Sequence, residues 1–323
     1  MRIFVTGATG FVGRALCRYM IDQGNELMCA TRNGPPNMPA AHPRSPRVSW
    51  EGIPTVDGNT DWRLSGLRID TIVHLAARVH VLRETRSNPL NEFRRVNVDG
   101  SLNLARQAAA AGVRRFVYIS SIKVNGEGSR NAYRESDIPS PEDAYGISKW
   151  EAEQGLLAIA HETDMEVVIV RPPLVYGPGV KGNFSALVKL VKKGVPLPLG
   201  AVSNERSLVA LDNLVDFIGL CADRDKAPRA ANEIFLIADG ESVSTSELLR
   251  RIAQAYHKKA VLIPVPVSWM HLGSRVLGKR ALADRLLGDL TVDCTKARDQ
   301  LGWTPVVSMD SQLQKMALDD SPA

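Results

Sequence analysis

The chain has 323 residues, of which 44% are hydrophobic and 23% are charged, and Lys and Arg outnumber Asp and Glu by 40 to 35, a formal net charge of +5. These values are typical of a folded globular protein and argue against a disordered chain or a disulfide-stapled miniprotein. No stretch reaches the ~18 consecutive apolar residues of a membrane-spanning helix, no secretion signal opens the sequence, and the four cysteines are widely separated, so we expect no integral membrane segment and a location in the reducing cytoplasm.

The excess of positive charge is scattered along the chain and does not form one basic stripe. Nucleic-acid binders usually concentrate their charge on one face, so we expect no nucleic-acid partner. A mildly basic surface is the simplest interpretation, and it would also favour a small anionic substrate. The histidines show no metal-ligand spacing, and no metal site is predicted.

The first half of the chain alternates strand-like and helix-like segments. Strands are predicted at 2–6, 26–31, 70–76, 116–120 and 165–171. Helices are predicted at 11–23, 88–112 and 144–161. The proline-rich stretch 34–46 is predicted to be a loop. This alternation indicates an α/β fold, a doubly wound parallel sheet of the Rossmann type with helices on both faces, over residues 1–172.

The pattern changes beyond Arg171, where prolines and glycines precede a helix predicted at 183–193. Another apolar segment follows at 233–240, and Ser244 lies three residues before Glu247, the spacing of a capping box. We therefore predict a smaller C-terminal α/β substrate lobe, mainly 173–323, from which a segment at about 205–240 returns to the first domain.

A glycine-rich turn directly follows the first strand. Gly7, Gly10 and Gly13 are spaced three residues apart, and a helix is predicted to begin among them. Glycines at a strand-to-helix turn allow backbone N–H groups to approach a pyrophosphate, to which the helix presents its positive end. The context predicts a dinucleotide-binding site.

The choice of dinucleotide depends on the end of the second strand. NAD-binding proteins usually carry an Asp or Glu there, about 20 residues after the glycines, for the ribose 2′-hydroxyl. Positions 30–33 hold no carboxylate, and Arg32 is either a solvated side chain or a partner for a 2′-phosphate. The sequence thus predicts NAD(P), with NADP(H) slightly favoured.

Three further side chains form a candidate catalytic set. Tyr145 and Lys149 are four residues apart on a predicted helix and so share one face, and Ser121 follows a strand of the same sheet. We expect the Lys149 ammonium and an oxidised nicotinamide to lower the pKa of the Tyr145 phenol. Tyr145 would then exchange a proton with a substrate hydroxyl or ketone to which Ser121 donates a hydrogen bond.

Five motifs resemble those of the extended short-chain dehydrogenase/reductases. They are TGATGFVG at 6–13, HLAA at 74–77, NVDG at 97–100, YISS at 118–121 and YGISK at 145–149. RPPLVYGPG at 171–179 and RSLVALDNLVD at 206–216 are most similar to the nucleotide-sugar 4-epimerases, dehydratases and 4-ketoreductases within that family. The resemblance covers nearly the whole chain and implies a nucleotide-sugar substrate and a homodimer formed through the helices at 89–111 and 144–161.

The resemblance also implies roles for individual residues. Catalysis falls to Ser121, Tyr145 and Lys149. The cofactor-binding residues it implies are Gly7, Thr9, Gly10, Phe11, Val12, Gly13, Arg32, Leu75, Ala76, Ala77, Asn97, Tyr145, Lys149 and Pro172. The substrate-binding residues it implies are Arg78, Ser121, Asn125, Tyr145, Asn183, Leu197, Leu199, Arg206 and Arg285. Among these, Arg206 and Arg285 would hold the diphosphate, and Leu197 and Leu199 would cradle the base.

Two departures from the family pattern narrow the reaction. Dehydratases of the family carry Asp-Glu directly after the catalytic hydroxyl, whereas Ile122 and Lys123 stand here, so dehydration is not expected. Asn125 is either a turn residue or a hydrogen-bonding partner for a substrate N-acetyl group. The reaction we predict is reduction of a 4-keto UDP-hexose, N-acetylated or 6-deoxy, because a reductase exchanges its cofactor and can use NADPH. The alternatives are 4-epimerisation of UDP-glucose or UDP-N-acetylglucosamine with bound NAD and, more remotely, a non-catalytic dinucleotide sensor.

Two weaker features remain. His74 ends a predicted strand and is interpreted as a core or cofactor-adjacent residue. The segment 269–285 mixes apolar and basic residues, and we expect it either to cover the substrate pocket or to lie on an anionic membrane.

Overall fold

The computed structural model describes residues 1–32, 48–79, 88–128, 131–276, 278 and 280–320. The loop predicted at 34–46 lies outside these residues. The strands are β1 (Arg2–Thr6), β2 (Glu26–Thr31), β3 (Val48–Gly52), β4 (Thr71–His74), β5 (Arg115–Ile119), β6 (Glu166–Arg171), β7 (Leu174–Tyr176), β8 (Arg206–Ala210), β9 (Glu233–Leu236) and β10 (Ser242–Val243). The helices are α1 (Phe11–Asp22), α2 (Pro89–Phe93), α3 (Gly100–Ala110), α4 (Ala144–Glu162), α5 (Gly182–Lys192), α6 (Leu211–Ala222), α7 (Thr245–Ala255), α8 (Val267–Val276), α9 (Arg280–Leu287), α10 (Thr295–Leu301) and α11 (Met309–Asp319).

A seven-stranded parallel sheet, in the order β3-β2-β1-β4-β5-β6-β9, forms the centre of the molecule. The strand order reverses between β1 and β4, and in open α/β sheets ligands bind at the carboxyl ends of the strands beside such a reversal. The predicted doubly wound parallel sheet is confirmed. The strand β3 was not predicted, because it is a short strand at the edge of the sheet and pairs only with β2.

Side chains of the sheet alternate between two helical layers, as the two-residue period of a strand requires. In β1, Ile3 and Val5 face the layer that contains α1 and α6, whereas Phe4 faces the layer that contains α3 and α4. All three are fully buried. Both faces of the sheet are thereby removed from water. A binding site can therefore form only at the ends of its strands.

The helix predicted at 88–112 is nearly continuous. Asn88 caps α2 by accepting a hydrogen bond from Asn91 N, and α2 passes through a π-helical segment (Arg94–Asp99) into α3. A π-helical segment shifts the register of the side chains that follow it and often occurs at functional sites. Here it carries Asn97.

The C-terminal part of the chain builds a second core. β7, β8 and β10 form a three-stranded sheet, and α5, α7 and α11 pack around the apolar side chains of Phe184, Leu249 and Leu313. β9 returns to the large sheet and α6 packs on α1, so the chain crosses back after β8. Within the described residues no helix is long and apolar enough to cross a membrane, and no group of three or more potential metal ligands is found.

Candidate active site

The glycine turn after β1 is packed too closely for other residues. Gly7 has a φ of 70°, and a Cβ atom there would lie 2.8 Å from the backbone nitrogen of Ala76. A Cβ at Gly13 would lie 2.8 Å from the Cα of Ala8. Gly10 is the N-cap of α1 and no side chain caps the helix. The first-turn N–H groups and the positive end of α1 are therefore presented to the crevice, as a pyrophosphate requires.

The other predicted cofactor residues border this crevice. Leu75 and Ala77 are partly buried after β4, and Phe11 and Val12 pack against the core with their side chains. The Thr9 carbonyl accepts a hydrogen bond of 2.9 Å from Arg14 Nε. Arg32 lies directly after β2 with an exposed side chain, the location expected for a residue beside the adenosine ribose.

A buried line of contacts connects the glycine turn to the sheet interior. Thr6 Oγ1 accepts a 3.2 Å hydrogen bond from Ala76 N and lies 2.6 Å from His74 Nδ1. His74 Nε2 lies 2.9 Å from Ser101 Oγ. Burial lowers the pKa of His74 to about 3, and the charge of Lys149 acts in the same direction. His74 is therefore neutral and holds the turn in place.

Tyr118 extends this line of contacts to the candidate catalytic lysine. Its ring stacks on His74 with 5.8 Å between centroids. The Lys149 Nζ lies 4.0 Å from the centre of the same ring, a cation–π distance. The glycine turn and Lys149 thus belong to one continuous set of packed side chains.

Helix α4 presents Tyr145 and Lys149 from its first two turns. It begins where the Asp143 carboxylate accepts a 2.7 Å hydrogen bond from Gly146 N, a standard N-cap. The Phe93 ring packs edge-on to the Tyr145 ring at 6.1 Å. Lys149 is buried and Tyr145 is partly buried.

The predicted lowering of the Tyr145 pKa depends on an oxidised nicotinamide as well as on Lys149, and in the protein without a cofactor the shift has the opposite sign. Burial raises the pKa of Tyr145 well above its usual value of 10, and the negative charge of Asp143 raises it further. Burial also lowers the pKa of Lys149 to about 7, an effect that the nearby Glu153 carboxylate opposes. Desolvation is the largest cause of both shifts, and it disfavours the charged form of each group.

Ser121 occupies the loop after β5. Its Oγ accepts a 3.3 Å hydrogen bond from Lys123 N and caps a short 3₁₀ turn (Ile122–Val124). Ile122 N donates a 3.0 Å hydrogen bond to the carbonyl of Pro172, which follows β6. Ser121 and Pro172 are thereby brought side by side at the same sheet edge as α4.

Asn97 holds two parts of the site together. It is fully buried, its Oδ1 accepts from Arg78 N at 2.8 Å, and its Nδ2 donates to Ser148 Oγ at 2.9 Å. Ser148 Oγ donates in turn to the Tyr145 carbonyl at 2.8 Å. These contacts occupy the side-chain amide of Asn97, so Asn97 positions the Arg78 backbone against α4.

Arg206 and Arg285 lie close enough to interact. The Arg206 guanidinium donates to the Gly288 carbonyl at 2.9 Å, and the Arg285 Nε lies 3.5 Å from Glu127 Oε2. The pKa of Arg206 is lowered mainly by burial, and the positive charge of Arg285 lowers it further, against the opposing charges of Asp289 and Glu127. Two arginines with one shared carboxylate form a candidate anion site.

Asn125 does not reach outward as a substrate contact would. It is 2% exposed, its Oδ1 accepts from Arg171 Nη1 at 3.0 Å, and its Nδ2 donates to the Arg134 carbonyl at 3.0 Å. The hypothesis of an N-acetyl contact at Asn125 is not supported by this geometry. The alternative of a structural turn residue agrees with it.

The two leucines predicted to cradle the base have side chains that belong to the second core. Leu197 and Leu199 are buried in the second core, and Leu197 pairs through its backbone with Val261 and Ile263. The Leu199 carbonyl also accepts a hydrogen bond from Ser246 Oγ, so this geometry does not support the hypothesis that the two leucines cradle a base. Asn183, at the start of α5, is exposed, and none of the contacts described above involves it.

A buried ion pair that was not predicted lies next to the catalytic set. Glu153 lies one helical turn after Lys149, and its carboxylate accepts hydrogen bonds from Arg171 Nε at 3.0 Å and Nη2 at 2.5 Å. Both side chains are at least 98% buried. The spacing from Lys149 to Glu153 was visible as a second i, i+4 step, but its partner on β6 was not.

Comparison with known proteins gives the chain a family. Residues 3–238 match the model of the NAD dependent epimerase/dehydratase family. A UDP-glucose 4-epimerase of Vibrio cholerae is 41% identical over 98% of this chain and 94% of its own length. An N-acetyl-alpha-D-glucosaminyl-diphospho-ditrans,octacis-undecaprenol 4-epimerase of Escherichia coli O157:H7 is 26% identical over 86% of this chain and 81% of its own length. The structure of MoeE5 in complex with UDP-glucose and NAD has a TM-score of 0.76 at 25% identity and covers 99% and 98% of the two chains.

The fold and site define a dinucleotide-dependent enzyme of the short-chain dehydrogenase/reductase type. The chain belongs to the NAD-dependent epimerase/dehydratase family. Its own residues fit such a cofactor, because the turn at Gly7 and Gly13 admits no Cβ atom and the N-terminus of α1 has no side-chain cap.

Proposed function

We propose that this protein is a UDP-hexose 4-epimerase that works with NAD. The observation that carries the proposal is the 41% identity to a UDP-glucose 4-epimerase over nearly the full length of both chains. The buried line from the glycine turn through Thr6, His74 and Tyr118 to Lys149 supports it. We prefer epimerisation to the 4-keto reduction that the sequence alone favoured. The prediction of a reductase depended on the absence of an acidic residue near Arg32, and the identity to a 4-epimerase outweighs that absence.

Tyr145 is the proposed acid and base. As a phenolate it would take the proton of the sugar's C4 hydroxyl, and as the resulting phenol it would later return that proton, with Ser121 as a hydrogen-bond donor to the same oxygen. Lys149 lies one turn further on α4 and would stabilise the phenolate electrostatically. Bound NAD supplies an acceptor and donor for the C4 hydride. Since burial raises the pKa of Tyr145 in the protein alone, added positive charge at the site is needed to bring it into a working range.

Arg206 on β8 and Arg285 on α9 are the proposed anchors of the substrate diphosphate. Epimerisation requires that the hexose can turn about such an anchor. A substrate anchored by its diphosphate leaves its hexose able to turn, and turning exposes either face of C4 to the same cofactor. We propose UDP-glucose as the first substrate to test, since Asn125, the residue suggested for an N-acetyl group, is already paired with Arg171.

NAD is the proposed cofactor, and Arg32 provides a test of it. Its exposed side chain after β2 fits a 2′-phosphate as well as open solvent. If the protein prefers NAD, the wild type binds NAD more tightly than NADP and Arg32→Ala changes neither affinity. A selective loss of NADP affinity in that variant would show instead that the protein is built for the phosphorylated cofactor. The homodimer implied by the helices near 89–111 and 144–161 stays a prediction.

The deciding experiment uses the purified protein without added cofactor. Incubation with UDP-glucose should yield UDP-galactose, detected by chromatography, and UDP-N-acetylglucosamine is the parallel substrate. A second sample receives a 4-keto UDP-hexose and NADPH. Interconversion in the first sample together with no NADPH consumption in the second supports an epimerase. NADPH consumption without interconversion would replace the proposal with the 4-ketoreductase, and no turnover with either would revive the non-catalytic sensor.

A further inference from the structure

One long segment of the C-terminal lobe contains no acidic residue. Between Glu247 and Asp284 the 36 intervening residues include seven Lys and Arg and no Asp or Glu. At the average density of the chain about four acidic residues would fall there. Arg250 and Arg251 form ion pairs with Glu241, Glu247 and Asp310, so the charge considered below is that of Lys258, Lys259 and Arg275.

The same segment carries large apolar side chains on its outside. On α8, Val267 and Met270 pack toward the second core, whereas Trp269 is 72% exposed and Leu272 is 65% exposed. In the segment before α8, Ile263 is 48% exposed, and its backbone nitrogen donates a 2.8 Å hydrogen bond to the Leu197 carbonyl. Large apolar residues grouped on the outside of a lobe mark a surface that a partner covers.

In the sequence, exposed cations precede and follow these apolar side chains. Lys258 and Lys259 precede Ile263, and Arg275 follows Leu272 on α8, all with exposed side chains. We define the basic apolar face as Lys258, Lys259, Ile263, Trp269, Leu272 and Arg275. Tryptophan prefers the headgroup boundary of a bilayer, and cations there meet anionic lipid phosphates.

We propose that the basic apolar face docks the protein on an anionic lipid bilayer. The occupant is a membrane and not a second copy of the chain, because a two-fold contact brings identical patches together and would oppose cations with no acidic residue to neutralise them. The contact is peripheral and reversible: one turn of helix with a few apolar side chains gives marginal affinity on its own, and each basic residue near an anionic surface adds roughly a fivefold factor in partition.

The experiment is sedimentation of the purified full chain with vesicles. Vesicles of phosphatidylglycerol and phosphatidylcholine should bind the wild-type protein, and pure phosphatidylcholine should bind it much more weakly. Trp269→Ala/Leu272→Ala should reduce partition about tenfold, and Lys258→Gln/Lys259→Gln about 25-fold, the product of two fivefold factors. Added salt should weaken the wild-type interaction.

Matched control variants test whether vesicle binding depends on this face or on any exposed apolar or basic side chain. Leu318→Ala removes an equally exposed apolar side chain, 77% exposed, from α11, and Arg18→Gln/Arg68→Gln removes two exposed cations from the first domain. Both should bind as the wild type does. Binding that is lost equally in these controls, or absent from the wild type on anionic vesicles, overturns the proposal.

Fluorescence locates the contact directly. Trp62 and Trp303 are buried, and Trp50 and Trp150 are partly buried, so Trp269 is the tryptophan that lipid can reach. Brominated acyl chains should quench the wild-type protein but not Trp269→Phe, which keeps an aromatic ring and still sediments with vesicles. If light scattering instead shows that Trp269→Ala/Leu272→Ala converts an oligomer to a smaller species without changing vesicle binding, the face is a self-association surface and the proposal fails.

Discussion

Glu153 and Arg171 form a fully buried ion pair between α4 and the end of β6, one helical turn from Lys149. The pair fastens the catalytic helix to the sheet, and its negative member also supports the charge of Lys149. A buried pair contributes little when intact, but the loss of one partner leaves the other as an uncompensated charge.

Glu153→Gln should therefore lower the free energy of unfolding by ~3–5 kcal/mol, the usual cost of breaking a buried pair. Urea denaturation measures it. Glu151→Gln is the control, since Glu151 lies on the same helix and pairs with Arg94 at the surface, and it should change stability only slightly. In enzyme that stays folded, Glu153→Gln should also move the alkaline limit of kcat to lower pH, because the remaining burial lowers the pKa of Lys149 further. Equal stability losses in the two variants would contradict a special role for Glu153.

Tyr145→Phe should retain dinucleotide binding and lose turnover. The phenyl ring preserves the packing against Phe93, while the hydroxyl that exchanges the proton is removed. General acid–base groups contribute roughly 10²–10⁴-fold to rate, and we expect a loss of kcat in that range. Steady-state rates and NAD titration by calorimetry measure the two effects. A variant that keeps wild-type turnover would remove Tyr145 from the mechanism.

Lys149 predicts how stability depends on pH in protein stripped of cofactor. The pKa of Lys149 is about 7 in the folded chain and 10.5 as its reference value. Between these values the unfolded chain binds more protons than the folded one, so the free energy of unfolding rises with pH from about 7 to about 10. Thermal melts across this window should show the rise, and Lys149→Met should flatten it. Lys192→Met, at an exposed position, should leave the rise intact.

Gly7→Ala should abolish dinucleotide binding. The substituted Cβ would lie 2.8 Å from Ala76 N, and the φ of 70° adds backbone strain. Gly24 has a similar φ of 78° with no atom within 4 Å, so Gly24→Ala carries the strain alone, ~1–2 kcal/mol. Cofactor titration of both variants separates crowding from strain. If Gly24→Ala also lost the cofactor, the close approach of Gly7 to Ala76 would not be the cause.

Glu127→Gln should tighten binding of UDP. The Glu127 carboxylate lies 3.5 Å from Arg285 Nε and 2.6 Å from Lys123 Nζ, so it competes with a diphosphate for the arginine. A partly exposed ion pair is worth ~0.2–1 kcal/mol, and we expect a gain of up to roughly fivefold in affinity. Calorimetry with UDP measures the gain, and uridine, which lacks phosphate, should bind both proteins equally. Glu142→Gln, a neighbouring exposed carboxylate, provides the charge-matched control.

Much of the site was visible in local patterns. The two-residue period of strands such as β1 and the turn at Gly7 depend on neighbours in sequence, so composition and spacing were sufficient to predict a parallel sheet, without its edge strand β3, and the dinucleotide crevice. Tyr145 and Lys149 share a helix face for the same reason. The C-terminal lobe was less predictable in detail, because its short strands β7 and β10 exist only through pairing with β8.

Tertiary structure alone decided which side chains meet. Asn125 and Arg171 are 46 residues apart, and Thr6 and His74 are 68 residues apart, yet each pair is in hydrogen-bond contact. Their meeting removed Asn125 from the substrate contacts and made His74 a neutral support. Burial likewise raises the pKa of Tyr145 in the protein without a cofactor, because desolvation depends on what the whole fold packs around a group. The sequence by itself determined the periodicity, the glycine turn and the candidate catalytic set; the packing of distant segments determined their partners and their charge states.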